Sequence, residues 1–65
     1  MEGVHANTLK YGFPTEAAAK AFVRAVTLQF ETAAFRSDYK VWIVCPDDQI
    51  RPVYEMTHNF GGWPE

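Results

Sequence analysis

Residues 9–13 alternate apolar side chains with polar or small ones, the pattern of a short β-strand with one buried face. Leu9, Tyr11 and Phe13 would share that face, and Pro14 would end the strand. A second alternating stretch, residues 39–45, is the strongest strand signal in the chain. One face of this strand would carry Tyr39, Val41, Ile43 and Cys45. The other face would carry Lys40, Trp42 and Val44.

Residues 16–31 have helical periodicity, a high alanine content and no Gly or Pro. Thr15 is a suitable N-cap, and Glu16 lies in the first turn, where the helix dipole favours a negative charge. The stripe expected to face the core consists of Ala19, Phe22, Val23, Val26 and Phe30. The periodicity therefore predicts one amphipathic helix.

The opposite side of this helix is also apolar. Leu28 lies directly opposite Ala19, and Ala17, Ala21 and Ala25 lie beside Leu28. Two interpretations stay open. Either the alanines are ordinary surface helix formers with one exposed leucine, or the face around Ala21 and Leu28 contacts a partner closely.

The rest of the chain predicts turns and one further strand. Residues 32–38 are expected to form a return loop with Phe35 turned inward, and residues 46–49 have turn chemistry. Residues 50–57 predict a strand, at a sheet edge or bulged because Pro52 cannot donate a backbone hydrogen bond. Residues 58–65 are expected to be an irregular tail.

These elements predict a single α+β domain spanning residues 1–65, with an ordered core over about residues 8–57. The expected architecture is a two-layer sandwich, with one helix on a three-stranded sheet in the order β-α-β-β. This element order resembles half of a ferredoxin-like domain.

One face of such a sheet has no helix to cover it. Trp42, Val44 and Val53 are expected to point to that face, where an apolar patch would be a candidate contact surface. Either Phe60 and Trp63 of the tail fold over the patch, or a second chain does.

Length and composition narrow the functional classes. The chain has 65 residues with 48% apolar content, which argues against disorder, and one cysteine, which excludes an internal disulfide. No apolar run approaches the length of a membrane span, and the first residues lack a secretory-signal pattern, so a cytoplasmic setting is expected. A domain this small has a thin core, which favours self-association or docking on a larger protein.

The charge distribution argues against non-specific electrostatic binding of nucleic acid. The net charge is −2, and acidic and basic residues are interspersed. One alternative remains, in which Lys40, Trp42 and Arg51 form a base-stacking platform on the sheet face of a dimeric regulator.

Catalytic and metal-binding patterns are absent from the sequence. Cys45, His5 and His58 do not have the spacing of a zinc site, and no cofactor motif is present. Cys45 and His58 make a poor nucleophile pair, because Asp47 and Asp48 would raise the pKa of the thiol. The Asp pair itself is typical of a solvated turn.

The sequence therefore predicts a non-enzymatic protein-interaction module without metal or cofactor. It would dock an apolar or aromatic surface on a protein partner or on its own copy. In size and lack of catalytic motifs the chain is similar to small inhibitors and adaptors encoded by bacteriophages and other mobile elements. The candidate contact residues are Trp42, Val44, Val53, Phe60, Trp63, Ala21 and Leu28.

Overall fold

The structure, a computed structural model, describes residues 6–30 and 32–65, and its elements follow the order β-α-β-β-α-β. The strands are β1 (Ala6–Gly12), β2 (Ala33–Ser37), β3 (Lys40–Pro46) and β4 (Trp63–Pro64). The helices are α1 (Glu16–Gln29) and α2 (Ile50–Asn59), and a short 3-10 helix, Asp47–Gln49, precedes α2. The predicted α+β class is confirmed.

Over the described residues the sheet has four strands rather than the predicted three. Their order is β2-β3-β1-β4, and every neighbouring pair is antiparallel. Element order and strand order together are those of a complete ferredoxin-like arrangement rather than half of one. Three segments account for the difference from the predicted arrangement: residues 33–37 form a strand, residues 50–59 form a helix, and residues 63–64 add the short β4.

Helix α1 follows the sequence pattern. The Thr15 hydroxyl accepts a hydrogen bond from the Ala18 backbone N–H at 3.1 Å, which caps the helix as predicted. The predicted stripe faces the core, with Ala19, Phe22 and Val26 fully buried and Val23 and Phe30 packed at its margin. The helix ends at Gln29, and Glu31 lies outside the described residues.

The predicted strand over residues 50–57 is wrong, because this segment forms helix α2. Pro52 lies in the first turn, where its missing N–H leaves no helical hydrogen bond unmade. Val53 and Thr57, four residues apart, are buried on one side of the helix. Val53 therefore points into the core, not to the uncovered sheet face.

The predicted loop over residues 32–38 is also wrong, because residues 33–37 form strand β2 and pair with β3. Ser37 pairs with Lys40, which leaves Asp38 and Tyr39 as a two-residue hairpin turn. Asp38 has a φ of 56°, a conformation that Asp tolerates in such turns. Phe35 was expected to point inward, but its side chain is 59% exposed, since it lies opposite Trp42 on the face away from the helices.

The tail is ordered by a glycine cap at the end of α2. The Gly61 N–H donates to the His58 carbonyl, and the Gly62 N–H donates to the Thr57 carbonyl at 2.9 Å. With a φ of 74° at Gly61, these two bonds form a Schellman motif. The motif reverses the chain, so that β4 pairs with β1 instead of forming the expected irregular tail.

Replacing Gly61 tests this cap. Gly61→Ala is expected to lower the free energy of unfolding by about 1–2 kcal/mol, because a side chain strains the left-handed conformation. Gly61→Asn should cost less, since Asn adopts this conformation more readily. Urea unfolding followed by circular dichroism measures both variants. Equal stability of Gly61→Ala and the wild type would contradict the cap.

Candidate functional site

Both helices cover the same face of the sheet. Tyr11 of β1, Val41 and Ile43 of β3, Phe22 of α1 and Val53 of α2 belong to one buried cluster. Because side chains alternate along a strand, the neighbours of the buried strand residues point the other way. We call that uncovered side the open face, and it carries Thr8, Lys10, Ala33, Phe35, Ser37, Lys40, Trp42, Val44 and Trp63.

An aromatic row crosses the middle of the open face. Phe35 of β2 lies opposite Trp42 of β3, and Trp42 lies opposite Lys10 of β1. Directly opposed side chains on one sheet face are in contact range. Val44 lies beside this row, opposite Ala33. The row offers a flat apolar surface that ends in a cation.

Trp63 lies over the end of this face. It pairs with Gly12, and a Cβ at Gly12 would be 2.6 Å from the Trp63 Nε1 atom. Only glycine leaves room for the indole there. The Trp63 Nε1–H donates to the Glu65 carboxylate at 3.1 Å, and the same carboxylate lies 3.6 Å from Lys40 Nζ. Trp63 is nevertheless 43% exposed.

The structure places some of the residues predicted to bind a partner on the open face and others in the core. Trp42 and Val44 lie on the open face, as predicted, and Trp63 lies there as well through its pairing with Gly12. Val53, which was expected on the same face, is instead buried in the core. Phe60 is also directed to the core, with its ring centroid 5.9 Å from that of Phe22. Phe60 therefore does not cover the open face.

Ala21 and Leu28 lie on the outer side of α1, in the other layer of the molecule. Leu28 is 77% exposed, and Ala21 is exposed as well. Because α1 packs on the covered face of the sheet, this helix side is not continuous with the open face. The two candidate surfaces are therefore separate.

The predicted base-stacking set is only partly brought together. Lys40 and Trp42 share the open face. Arg51 lies in α2, where its side chain is 89% exposed and its Nε is 4.0 Å from the Glu55 carboxylate. Sequence reasoning placed Arg51 on a strand and missed Lys10, Phe35 and Gly12, whose positions depend on the strand register.

Two of the three thiol and imidazole candidates, Cys45 and His58, lie in the part of the chain that the structure describes. Cys45 is buried at 1% exposure. Burial raises the pKa of the Cys45 thiol, and the charges of Asp47 and Asp48 raise it further, as the sequence predicted. The ring of His58 packs edge-on against Tyr54. His5 lies outside the described residues.

Over residues 6–30 and 32–65, His, Cys, Asp and Glu side chains form no group of three that could hold a metal ion. Neither helix in this part of the chain is long and apolar enough to cross a membrane. Comparison with known protein families, curated proteins and solved structures found no match. The geometry of the open face is therefore the basis for a functional proposal.

The raised pKa of Cys45 predicts a pH dependence of stability. An unfolded thiol titrates near pH 9.0, and the folded one titrates higher. Folding therefore favours the neutral thiol, so the contribution of Cys45 to the free energy of unfolding should be present in full well below pH 9 and be lost as the pH rises further. Cys45→Ala should reduce this loss, whatever its effect at neutral pH. Urea unfolding between pH 7 and 10.5 measures the free energy of unfolding of both proteins. An identical pH dependence in both would contradict the raised pKa of Cys45.

Proposed function

We propose that this chain is a non-enzymatic interaction module that binds a protein partner through its open face. The observation that carries the proposal is the placement of the aromatic residues. Both tryptophans of the chain, Trp42 and Trp63, lie with Phe35 on the sheet face that neither α1 nor α2 covers. Phe13 and Phe22, by contrast, are fully buried.

Such a surface has the composition of a binding site. Tryptophan and other aromatic side chains are enriched among the residues that dominate binding energy, and contiguous exposed apolar patches mark contact sites. The charges at the margin are Lys10 and Lys40, with Glu65 beside Lys40. The partner surface that fits this pattern is apolar, with a carboxylate placed to meet Lys10.

Binding rather than catalysis is supported by the state of the one thiol. Cys45 is buried and its pKa is raised, so it lacks the thiolate character of a nucleophile. The proposal is therefore an inhibitor or adaptor that acts by occupying a surface of its partner.

A nucleic-acid-binding regulator is the second candidate, favoured by one observation. Lys10, Trp42 and Phe35 lie in one row across three strands, and single-stranded binders with this topology stack bases on such a sheet face. The net charge of −2, the Glu65 carboxylate near Lys40 and the remote position of Arg51 favour the protein partner instead.

Tryptophan fluorescence separates the two candidates, since both tryptophans report on the open face. Proteins retained from a cell lysate by the immobilised chain are titrated into wild type, Phe35→Ala and Leu28→Ala. We expect a blue shift on binding, with the dissociation constant raised at least about tenfold by Phe35→Ala and unchanged by Leu28→Ala. Leu28 is the matched control, because it is also a large apolar side chain, is even more exposed than Phe35 (77% against 59%) and lies in the other layer.

Two outcomes contradict the protein-partner proposal. One is binding that Leu28→Ala weakens and Phe35→Ala does not. The other is quenching of the tryptophans by single-stranded oligonucleotides with a steep salt dependence, which would favour the nucleic-acid regulator.

A further inference from the structure

The two edges of the sheet are built differently. Strand β4 forms one edge, has two residues and contains Pro64, features that limit pairing with another strand. Strand β2 forms the other edge, has five residues and contains no proline. Among the described residues, no strand pairs with the outer side of β2. The β2 edge is thus the one open to further strand pairing.

Arg36, the single charged residue of β2, does not point outward from this edge to block strand pairing. The Arg36 guanidinium lies 3.0 Å from the Glu16 carboxylate and donates to the Asp38 carbonyl at 2.7 Å. Both contacts hold Arg36 against the start of α1 and the hairpin turn. Natural sheet edges are commonly protected by an outward charge, a proline or a bulge. The β2 edge has none of these devices.

We propose that β2 pairs antiparallel with β2 of a second copy of this chain, about a two-fold axis at Phe35. This inference goes beyond the proposed function, because it concerns the backbone edge of the sheet and a second copy of the chain, with Phe35 of the open face at the axis. Phe35 is the midpoint of β2, so this register pairs all five residues of the strand. Ala33 then lies opposite Ser37 of the other copy, and Ala34 lies opposite Arg36.

Other registers fit less well. Sliding the pairing by two residues toward Ser37 pairs three residues and sets Arg36 directly opposite its own copy, a like-charge contact that destabilises a sheet. Sliding by one residue exchanges the two faces, so that the open face of one copy continues the covered face of the other. The register centred on Phe35 avoids both problems.

The resulting dimer has an eight-stranded sheet with all four helices on one side. Its aromatic row is continuous, because the two Phe35 rings are neighbours and each is flanked by a Trp42. Pairing satisfies backbone groups along β2 and withdraws part of each exposed Phe35 ring from water. A chain of 65 residues, which has little core of its own, gains stability from such an interface.

Two double variants that share one substitution test the register. Ala33→Lys/Ser37→Glu places opposite charges across the interface twice, whereas Ala33→Glu/Ser37→Glu places like charges there. Both positions are exposed, and the variants differ only at residue 33. Sedimentation equilibrium at low and high salt measures the dissociation constant, and circular dichroism checks that both variants fold.

The wild type is expected to approach twice the chain mass of 7.4 kDa as its concentration rises. The like-charge variant should dissociate at least about tenfold more readily than the opposite-charge variant, with a smaller difference at high salt. A wild type that stays monomeric at millimolar concentration overturns the inference. A dimer that Leu28→Glu dissolves and the charge variants do not affect overturns it as well, since it would use the α1 face. Neither result would change the outcome of the partner titrations. Failure of the β2 dimer can therefore be distinguished from failure of the proposed partner binding.

Discussion

The ring of Phe22 joins the elements on which the rest of the structure depends. It lies 6.2 Å from the ring of Tyr11, which belongs to β1, and 4.9 Å from the ring of Phe13, which directly follows β1. Phe60, at the end of α2, completes the cluster at 5.9 Å. One side chain of α1 thereby ties β1 and the end of α2 together. As a consequence, both helices lie on a single face of the sheet.

That constraint determines what the molecule leaves exposed. With both helices on one face, none of the described elements covers the opposite face, and Trp63 of β4 lies over Gly12 rather than over the aromatic row. The Schellman motif at Gly61 sets this geometry by reversing the chain after α2. The same topology leaves β2 at an edge. Both proposed interactions, binding through the open face and pairing at the β2 edge, therefore follow from the packing of both helices on one face of the sheet.

Periodicity alone was sufficient for α1, β1 and β3, because each has a long, clear pattern with matching caps or breakers. It failed for α2, where the β-propensity of Val53 and Tyr54 and the presence of Pro52 favoured a strand. The competing signal was present, since Ile50, Val53, Thr57 and Phe60 recur at helical spacing and Gly61 follows them as a cap. The alternation of residues 39–45 predicts Trp42 and Val44 on the uncovered face, where the structure has them, but it leaves the position of Trp63 open. Lys10 and Phe35 were missed, because their places depend on strand register, which long-range pairing decides.

The most direct test of this account is a nuclear Overhauser spectrum of the Phe22 ring protons in the isolated chain. Cross-peaks to the rings of Phe13, Tyr11 and Phe60 are expected. Helical amide-to-amide cross-peaks are expected through residues 50–59. Strand-type sequential peaks over residues 50–57, with no contact between Phe22 and Phe60, would contradict it. The second helix would then not share the covered face, and the open face would not exist as described.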